Sequence, residues 1–233
     1  MAYQVKICGI TNRADLEWAA RAGADYGGAI VEVQQSPRSL TRAQAEALFR
    51  SSPLPMVAVT LDRTVDEYAA QAEFLNPAAL QLHGSESPEM IHALKSRVAC
   101  EVWKAVPLPT GSGAGVEEFE SLWQRIAAWL EAGVDRFVID AAVKVEGRTQ
   151  MGGTGCTVDW SLAGEICRRS PKPVLLAGGI TPENAARAVE TVNPAGIDVS
   201  SGVEMIKGKK DPDKVLALIL AVRAVESRET RFT

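Results

Sequence analysis

Short apolar runs rich in Val, Ile and Ala alternate along the whole chain with longer segments in which apolar residues recur at helical spacing. The short runs are Tyr3–Ile7, Tyr26–Val33, Met56–Thr60, Ala79–Leu82, Glu101–Ala105, Arg136–Ile139, Val174–Ala177 and Gly196–Val199. Runs this brief and continuous suit parallel strands buried on both faces, and strand alternating with helix is the pattern of repeated βα units. Between them, Thr41 to Arg50 carries Ala43, Ala45, Ala47, Leu48 and Phe49 in a helical mix. Thr181-Pro182-Glu183 predicts an N-cap, an N1 proline and a first-turn acid, and Asp211-Pro212 repeats that start before a helix over Val215–Val225. The longest helical candidate is Val116–Ala132, where Phe119, Leu122, Trp123, Ile126 and Leu130 recur as core contacts.

About eight such units predict an α/β fold of the closed (β/α)8 TIM-barrel kind. No Gly/Ser linker or compositional shift divides the chain, so residues 1–233 read as a single domain. In that fold the loops after the strands open onto one face, where barrel active sites sit. Cys8, the stretch from Gln34 to Arg38, Asp62, His83, Lys104, Asp140, Gly178-Gly179 and Ser200-Ser201-Gly202 all fall at or just beyond predicted strand ends. Two loops are longer than the βα norm, Pro107–Gly115 and Ala141–Cys156, and such length points to a functional lid. The second carries Lys144, Glu146, Arg148 and Gly152-Gly153-Thr154-Gly155.

Composition narrows the chemistry. With 46% hydrophobic and 23% charged residues among 233, the chain is a folded globular protein rather than a disordered one. A net charge of -4 leaves no basic excess for a nucleic-acid backbone. No apolar run approaches the roughly 18 residues of a spanning helix. The start Met1-Ala2-Tyr3-Gln4-Val5-Lys6 lacks the plan of a signal peptide, so a cytoplasmic location without membrane contact is expected. Cys8, Cys100, Cys156 and Cys167 form no CxxC pair, and His83 and His92 are the only histidines. Neither a metal site nor a disulfide framework is expected, and the cysteines read as reduced thiols.

Two glycine-rich turns follow the last two strands: Leu176-Ala177-Gly178-Gly179-Ile180 and Asp198-Val199-Ser200-Ser201-Gly202-Val203-Glu204. Loops after strands 7 and 8 of a barrel commonly cradle phosphate, because glycine lets backbone N–H groups approach the oxygens. Gly178, Gly179, Ser200, Ser201 and Gly202 are therefore candidate phosphate ligands, against the alternative of simple tight turns. No GxGxxG opens a helix, so the ligand is a phosphorylated small molecule rather than a dinucleotide. Cys8, with Gly9 permitting a close turn, stands at the mouth end of strand 1, where its alternatives are a buried inert thiol and a base. Asp140 emerges after Phe137-Val138-Ile139, where loop capping competes with a general-acid role. Together they supply a base and an acid with no metal or cofactor.

Taken in order, Lys6-Ile7-Cys8-Gly9-Ile10-Thr11, Ser36-Pro37-Arg38, Gln81-Leu82-His83-Gly84, Lys104-Ala105, Asp140 with Gly152-Gly153-Thr154-Gly155, and Asp198 to Glu204 are specific as a set. Over almost its whole length the chain resembles the phosphoribosylanthranilate isomerase family of tryptophan biosynthesis. That resemblance implies a (β/α)8 enzyme performing an Amadori rearrangement of N-(5'-phosphoribosyl)anthranilate into the 1-amino-1-deoxyketose phosphate. It implies Asp140 as the general acid that opens the ribose ring to a Schiff base, and Cys8 as the base that removes the C2' proton. A thiol of ordinary pKa about 8.5 must be shifted downward for that task near neutrality. Arg38 matches the arginine that grips the anthranilate carboxylate, for which a forked guanidinium is suited. Asp198, deep beside them, is implied to orient the substrate, with a purely structural role as its alternative. His83 reads as a local hydrogen-bonding residue, and Lys104 as a packed strand residue or a pocket cation.

The chain also departs from the family. Relatives usually carry Gly-Phe-Val/Ile-Phe in strand 2 and a phenylalanine near the end of strand 3, where this chain has Gly28-Ala29-Ile30-Val31 and Thr60. The stretch Glu32-Val33-Gln34-Gln35 is one residue longer than usual and adds an acid near the carboxylate site. Lost ring packing predicts a weaker aromatic wall for anthranilate. Two alternatives follow: an isomerase of a different phosphorylated aminoaldose, and a phosphosugar-binding barrel without turnover.

Overall fold

A computed structural model describes residues 2–110, 116–145, 148–151 and 157–229. Eight parallel strands, β1 (Gln4–Ile7), β2 (Tyr26–Val31), β3 (Met56–Thr60), β4 (Ala79–Leu82), β5 (Glu101–Pro109), β6 (Arg136–Val145), β7 (Val174–Leu176) and β8 (Gly196–Val199), pair in sequence order. Pairing of β8 with β1 closes the sheet into a barrel. A helix follows each strand: α1 (Arg13–Ala22), α2 (Arg42–Phe49), α3 (Val65–Leu75), α4 (Pro88–Lys95), α5 (Val116–Glu131), α6 (Trp160–Arg169), α7 (Ala185–Val192) and α8 (Pro212–Glu229).

The helix starts follow from local chemistry. Thr41 with Gln44 and Thr64 with Glu67 form capping boxes at α2 and α3, and Ser87-Pro88 combines a capping hydroxyl with an N1 proline at α4. Asp211 accepts from the Asp213 and Lys214 amides and starts α8, as its motif predicts. The Thr181-Pro182-Glu183 signal instead begins a turn, and α7 starts at Ala185. The Asn184 side chain folds back to accept from the Thr181 amide, which holds the chain in a preliminary turn.

Strands β5 and β6 run past the ends read from the sequence, to Pro109 and Val145, paired from Trp103–Arg136 to Pro109–Ala142. Part of each expected long loop is therefore strand, and Arg148–Met151 folds back antiparallel on β6. Pro107 and Pro109 read as loop signals, yet Val106, Leu108 and Ala141 are fully buried and carry the ladder onward. Glu146 and Gly152-Gly153-Thr154-Gly155 lie outside the described residues.

Side chains alternate across the barrel wall. Inward-facing Val57, Val59, Ala79, Trp103, Val138, Leu175 and Ala177 fill its centre, with Tyr26 set edge-on to Trp103 at 5.2 Å. Outward-facing residues such as Val5, Ile7, Ala29, Val31, Ala58 and Ile139 join the helices in the larger core. Above the Trp103 plug the inward positions turn polar: Lys6, Cys8, Gln81, Asp140 and Asp198 are all buried. Sheet closure and period-two alternation thus build one polar chamber at the C-terminal ends of the strands.

Candidate active site

The chamber opens into a cavity of about 830 Å³ at the barrel mouth, and every residue singled out as a candidate lines it: Cys8, Arg38, Asp140 and Asp198, with Gly178-Gly179 and Ser200-Ser201-Gly202. Closure of β8 on β1 puts Asp198 level with Lys6, whose ammonium donates to Asp198 Oδ2 at 2.8 Å and to Gln81 Oε1 at 2.7 Å. Cys8 lies alongside, just past the end of β1. A Cβ at Gly28 would stand 2.9 Å from Lys6 Cε and 3.0 Å from Cys8 Sγ, so glycine there leaves room for both.

The expected downward shift of the Cys8 thiol is not what the pocket produces. Burial is the largest influence and, with the Asp198 carboxylate, pushes the thiol above its ordinary value. Lys6 and Lys210 pull it down without prevailing. Burial likewise works against the Lys6 charge, but Asp198 and Cys8 outweigh it and hold the ammonium above its usual range.

Asp140 stands across the mouth on β6. Its Oδ1 accepts from the Ala141 amide at 2.8 Å, and its Oδ2 lies 3.2 Å from His83 Nε2. His83 Nδ1 faces Gln81 Nε2 at 3.2 Å. The local hydrogen bonding read for His83 is present, to Gln81, and its Nε2 stands in ion-pair contact with Asp140. Lys104 is a packed strand residue that also lines the cavity, its ammonium pairing with Glu86 at 3.0 Å and donating to the carbonyls of Leu82, Gly84 and Ala105.

Arg38 is committed on one edge. Its Nε and Nη2 donate to the two oxygens of Glu204 at 2.6 and 2.7 Å, while Lys210 holds the same carboxylate at 3.2 Å. Burial would raise the Glu204 carboxyl, yet Arg38 and Lys210 keep it below the ordinary carboxylate range. The Nη1 side of Arg38 has no partner among the described residues, and a guanidinium has a second pair of donors there for an incoming carboxylate.

At the other side of the mouth Gly178 and Gly179 have φ of 78° and 67°, a left-handed turn that glycine adopts without strain. Among the described residues their amides donate to no backbone carbonyl. Gly202 presses against the Ile180 carbonyl so closely that an added Cβ would lie 1.9 Å from its oxygen, which locks the two loops together. Ser200 Oγ and Asp198 Oδ1 are buried without hydrogen-bond partners among the described residues, and both residues line this cavity. Buried polar atoms left unpaired are costly, and a ligand supplying an acceptor and a donor would satisfy them.

The aromatic wall corrects another expectation. Ala29 and Val31 face outward into the helix-side core, and Thr60 is buried outside the cavity with its Oγ1 accepting from Arg63. The missing phenylalanines would therefore not have lined the cavity, whose wall is made here by inward-facing Ile30, Val33 and Val59. Glu32 does not project into it either: at φ 52° it turns toward Arg63 and Arg42, 3.3 and 3.8 Å away. Sequence reasoning missed Lys6, Gln81, Glu204 and Lys210 as site residues. The available signal was charge inside an apolar strand, Lys6 between Val5 and Ile7, and the acid ending the Asp198–Glu204 motif.

Fold and mouth together define the class: a parallel (β/α)8 barrel whose pocket sets ionisable side chains beside glycine-rich loops after the seventh and eighth strands. Residues 5–221 match the family model of N-(5'phosphoribosyl)anthranilate (PRA) isomerase. The chain is 40% identical over 224 residues to N-(5'-phosphoribosyl)anthranilate isomerase of Hyphomonas neptunium, covering 96% of this chain and 98% of that protein. It superposes on the N-(5'-phosphoribosyl)anthranilate isomerase of Pyrococcus furiosus with a TM-score of 0.80 at 28% identity, covering 96% of this chain and all of the other. A phosphoribosyl anthranilate isomerase in complex with reduced 1-(o-carboxyphenylamino)-1-deoxyribulose 5-phosphate gives a TM-score of 0.76 at 28% identity, with 95% and 99% covered. The chain belongs to the phosphoribosylanthranilate isomerase family.

Proposed function

We propose that this protein catalyses the Amadori rearrangement of N-(5'-phosphoribosyl)anthranilate to 1-(2-carboxyphenylamino)-1-deoxyribulose 5-phosphate in tryptophan biosynthesis. The whole chain, 1–233, acts as one barrel domain. Family membership supports the reaction, and one observation carries the residue assignment: Cys8 and Asp140 flank the same cavity between Arg38 and the Gly178-Gly179 and Ser200-Ser201-Gly202 loops.

In this reading the substrate phosphate binds the Gly178 and Gly179 amides, Ser200 Oγ and the Ser201-Gly202 turn, and the free edge of Arg38 takes the anthranilate carboxylate. Asp140 donates its proton to the ribose ring oxygen as the C1'–O bond breaks, and the amine lone pair forms the protonated Schiff base. Cys8 then removes the C2' proton, the electron pair neutralises the iminium to the enolamine, and tautomerisation gives the ketone. The upward-shifted thiol fits this order. It stays protonated in the empty pocket; once the positive Schiff base forms, that charge acidifies C2' and favours the thiolate beside it, so the thiol loses its own proton to solvent and the thiolate then accepts the C2' proton. Asp198 Oδ1, the unpaired acceptor, orients the substrate through a hydroxyl or the amine N–H.

The outward position of Ala29, Val31 and Thr60, with Glu32 drawn to Arg63, supports an anthranilate aglycone over the different-aminoaldose reading. No helix among the described residues is long and apolar enough to cross a membrane. Free thiols at Cys8, Cys100 and Cys167 support a cytoplasmic location. The test is loss of substrate fluorescence with purified protein. Turnover that falls about 10²–10⁴-fold in Cys8→Ala and in Asp140→Asn is expected from the usual weight of an acid or base step. A wild-type protein inactive on this substrate overturns the reading.

A further inference from the structure

A single chain of polar contacts crosses the barrel mouth: Asp198, Lys6, Gln81 and His83 are joined by hydrogen bonds of 2.8, 2.7 and 3.2 Å, and Asp140 Oδ2 lies 3.2 Å from His83 Nε2 as an ion-pair contact. Its polarity is set at one end. An ammonium only donates, so the Gln81 group facing Lys6 is the carbonyl oxygen, and the group facing His83 is the NH₂. The Gln81 NH₂ needs an acceptor, so His83 Nδ1 carries no proton and its Nε2, 3.2 Å from Asp140 Oδ2, carries one. Lys6 thus dictates the tautomer of an imidazole two residues further along the chain of contacts.

We propose that Lys6 and Gln81 lock His83 as the neutral Nε2–H tautomer, so that a proton taken up by the His83–Asp140 pair resides on Asp140. Protonating His83 would put an Nδ1–H against the Gln81 NH₂, donor against donor. A proton on Asp140 meets no such conflict, because the acid O–H can point into the cavity that Asp140 lines. His83 and Gln81 are positioning residues that keep the acid form where the ring oxygen would receive it. Other charged groups near His83 are engaged elsewhere, Asp62 with the Ser85 amide at 2.7 Å and Lys104 with Glu86 at 3.0 Å. The role in proton delivery rests on the isomerase reading above; the tautomer does not.

The experiment reads the two separately. The chain has two histidines, so ¹⁵N-histidine labelling gives two imidazole patterns in two-bond ¹H–¹⁵N spectra, and His92→Gln, at an exposed site on α4, identifies the His83 pattern. At neutral pH the wild type is expected to show His83 protonated at Nε2 alone. A dominant Nδ1–H tautomer or imidazolium overturns the proposal. Gln81→Glu replaces the donor facing Nδ1 by an acceptor, so His83 is expected to become imidazolium and kcat to fall about tenfold or more with KM within about twofold, a part of the usual weight of an acid step. A folded Gln81→Glu protein with neutral His83 and unchanged kcat overturns it as well. A wild type with the expected tautomer and no turnover of phosphoribosylanthranilate sinks only the functional reading.

Discussion

Cys8 is held between opposing influences: burial and Asp198 press the thiol upward, Lys6 and Lys210 pull it down, and the first pair prevails. Because kcat/KM reports the free enzyme, its ascending limb is expected above the ordinary thiol range, and Lys6→Met should move that limb further alkaline. A pH profile of kcat/KM checks both, and an ascending limb in the mildly acidic range would contradict the first. Glu204 works the other way. Its depressed carboxyl means the folded state binds its proton less readily than the unfolded chain. Its stabilisation is therefore complete above the ordinary carboxylate pKa and lost as pH falls through the depressed value. Glu204→Gln is expected to cost about 1–3 kcal/mol in urea unfolding at neutral pH, the usual loss when a buried charged partner is left unpaired. It should also flatten the acid limb of stability. Of these residues, Cys8 and Arg38 were legible because their place at a strand mouth follows from the strand pattern. Glu204 lies 166 residues from Arg38, and no local pattern reports a pairing over that separation.

The alternation of elements was readable because it is enforced at every position: a buried parallel strand must be apolar and its helix amphipathic, so all eight strands stand where their runs predict. Ends were harder, since proline in β5 imitates a loop and Asn184 delays α7 by a side-chain bond that competes with the helix. The side of the sheet on which a residue falls was also readable, and it decides the aglycone wall. Counting by twos from Lys6 and Cys8, which face in, the register of β1 with β2 sets Tyr26, Gly28 and Ile30 inward and Ala29 and Val31 outward. The absent aromatics are thus a matter of helix packing. Ile30→Ala, which removes three side-chain carbons, is expected to raise KM for phosphoribosylanthranilate by about tenfold, the transfer energy of about two of them at a half-buried wall position. Val31→Ala should leave KM unchanged while lowering stability by about 1–3 kcal/mol. Steady-state kinetics and denaturation of the two variants check the assignment, and an equal KM effect at both positions would refute the inward and outward division.

A net charge of -4 describes the molecule from afar and conceals its mouth. Lys6, Arg38 and the Lys207–Lys210 turn come from three separate places in the chain to one rim of the cavity or just beneath it, three of these cations sharing the Asp198 and Glu204 carboxylates. Only barrel closure makes that concentration, since β8 brings Asp198 and the Ser200-Ser201-Gly202 turn beside β1. Binding at this seam should therefore stabilise the whole fold, because the ligand ties the first strand to the last two. Reduced 1-(o-carboxyphenylamino)-1-deoxyribulose 5-phosphate at about 100 times its Kd is expected to add about 2.7 kcal/mol. For a chain of this size that is a Tm rise of about 5–10 °C by scanning calorimetry. Gly202→Val cannot keep the loops together, because even a Cβ would stand 1.9 Å from the Ile180 oxygen, so its Tm should start lower and respond little to the same ligand. Inorganic phosphate alone, reaching only the glycine loops, should give a smaller rise in the wild type. A Gly202→Val protein stabilised as much as the wild type would place the phosphate elsewhere than in this seam.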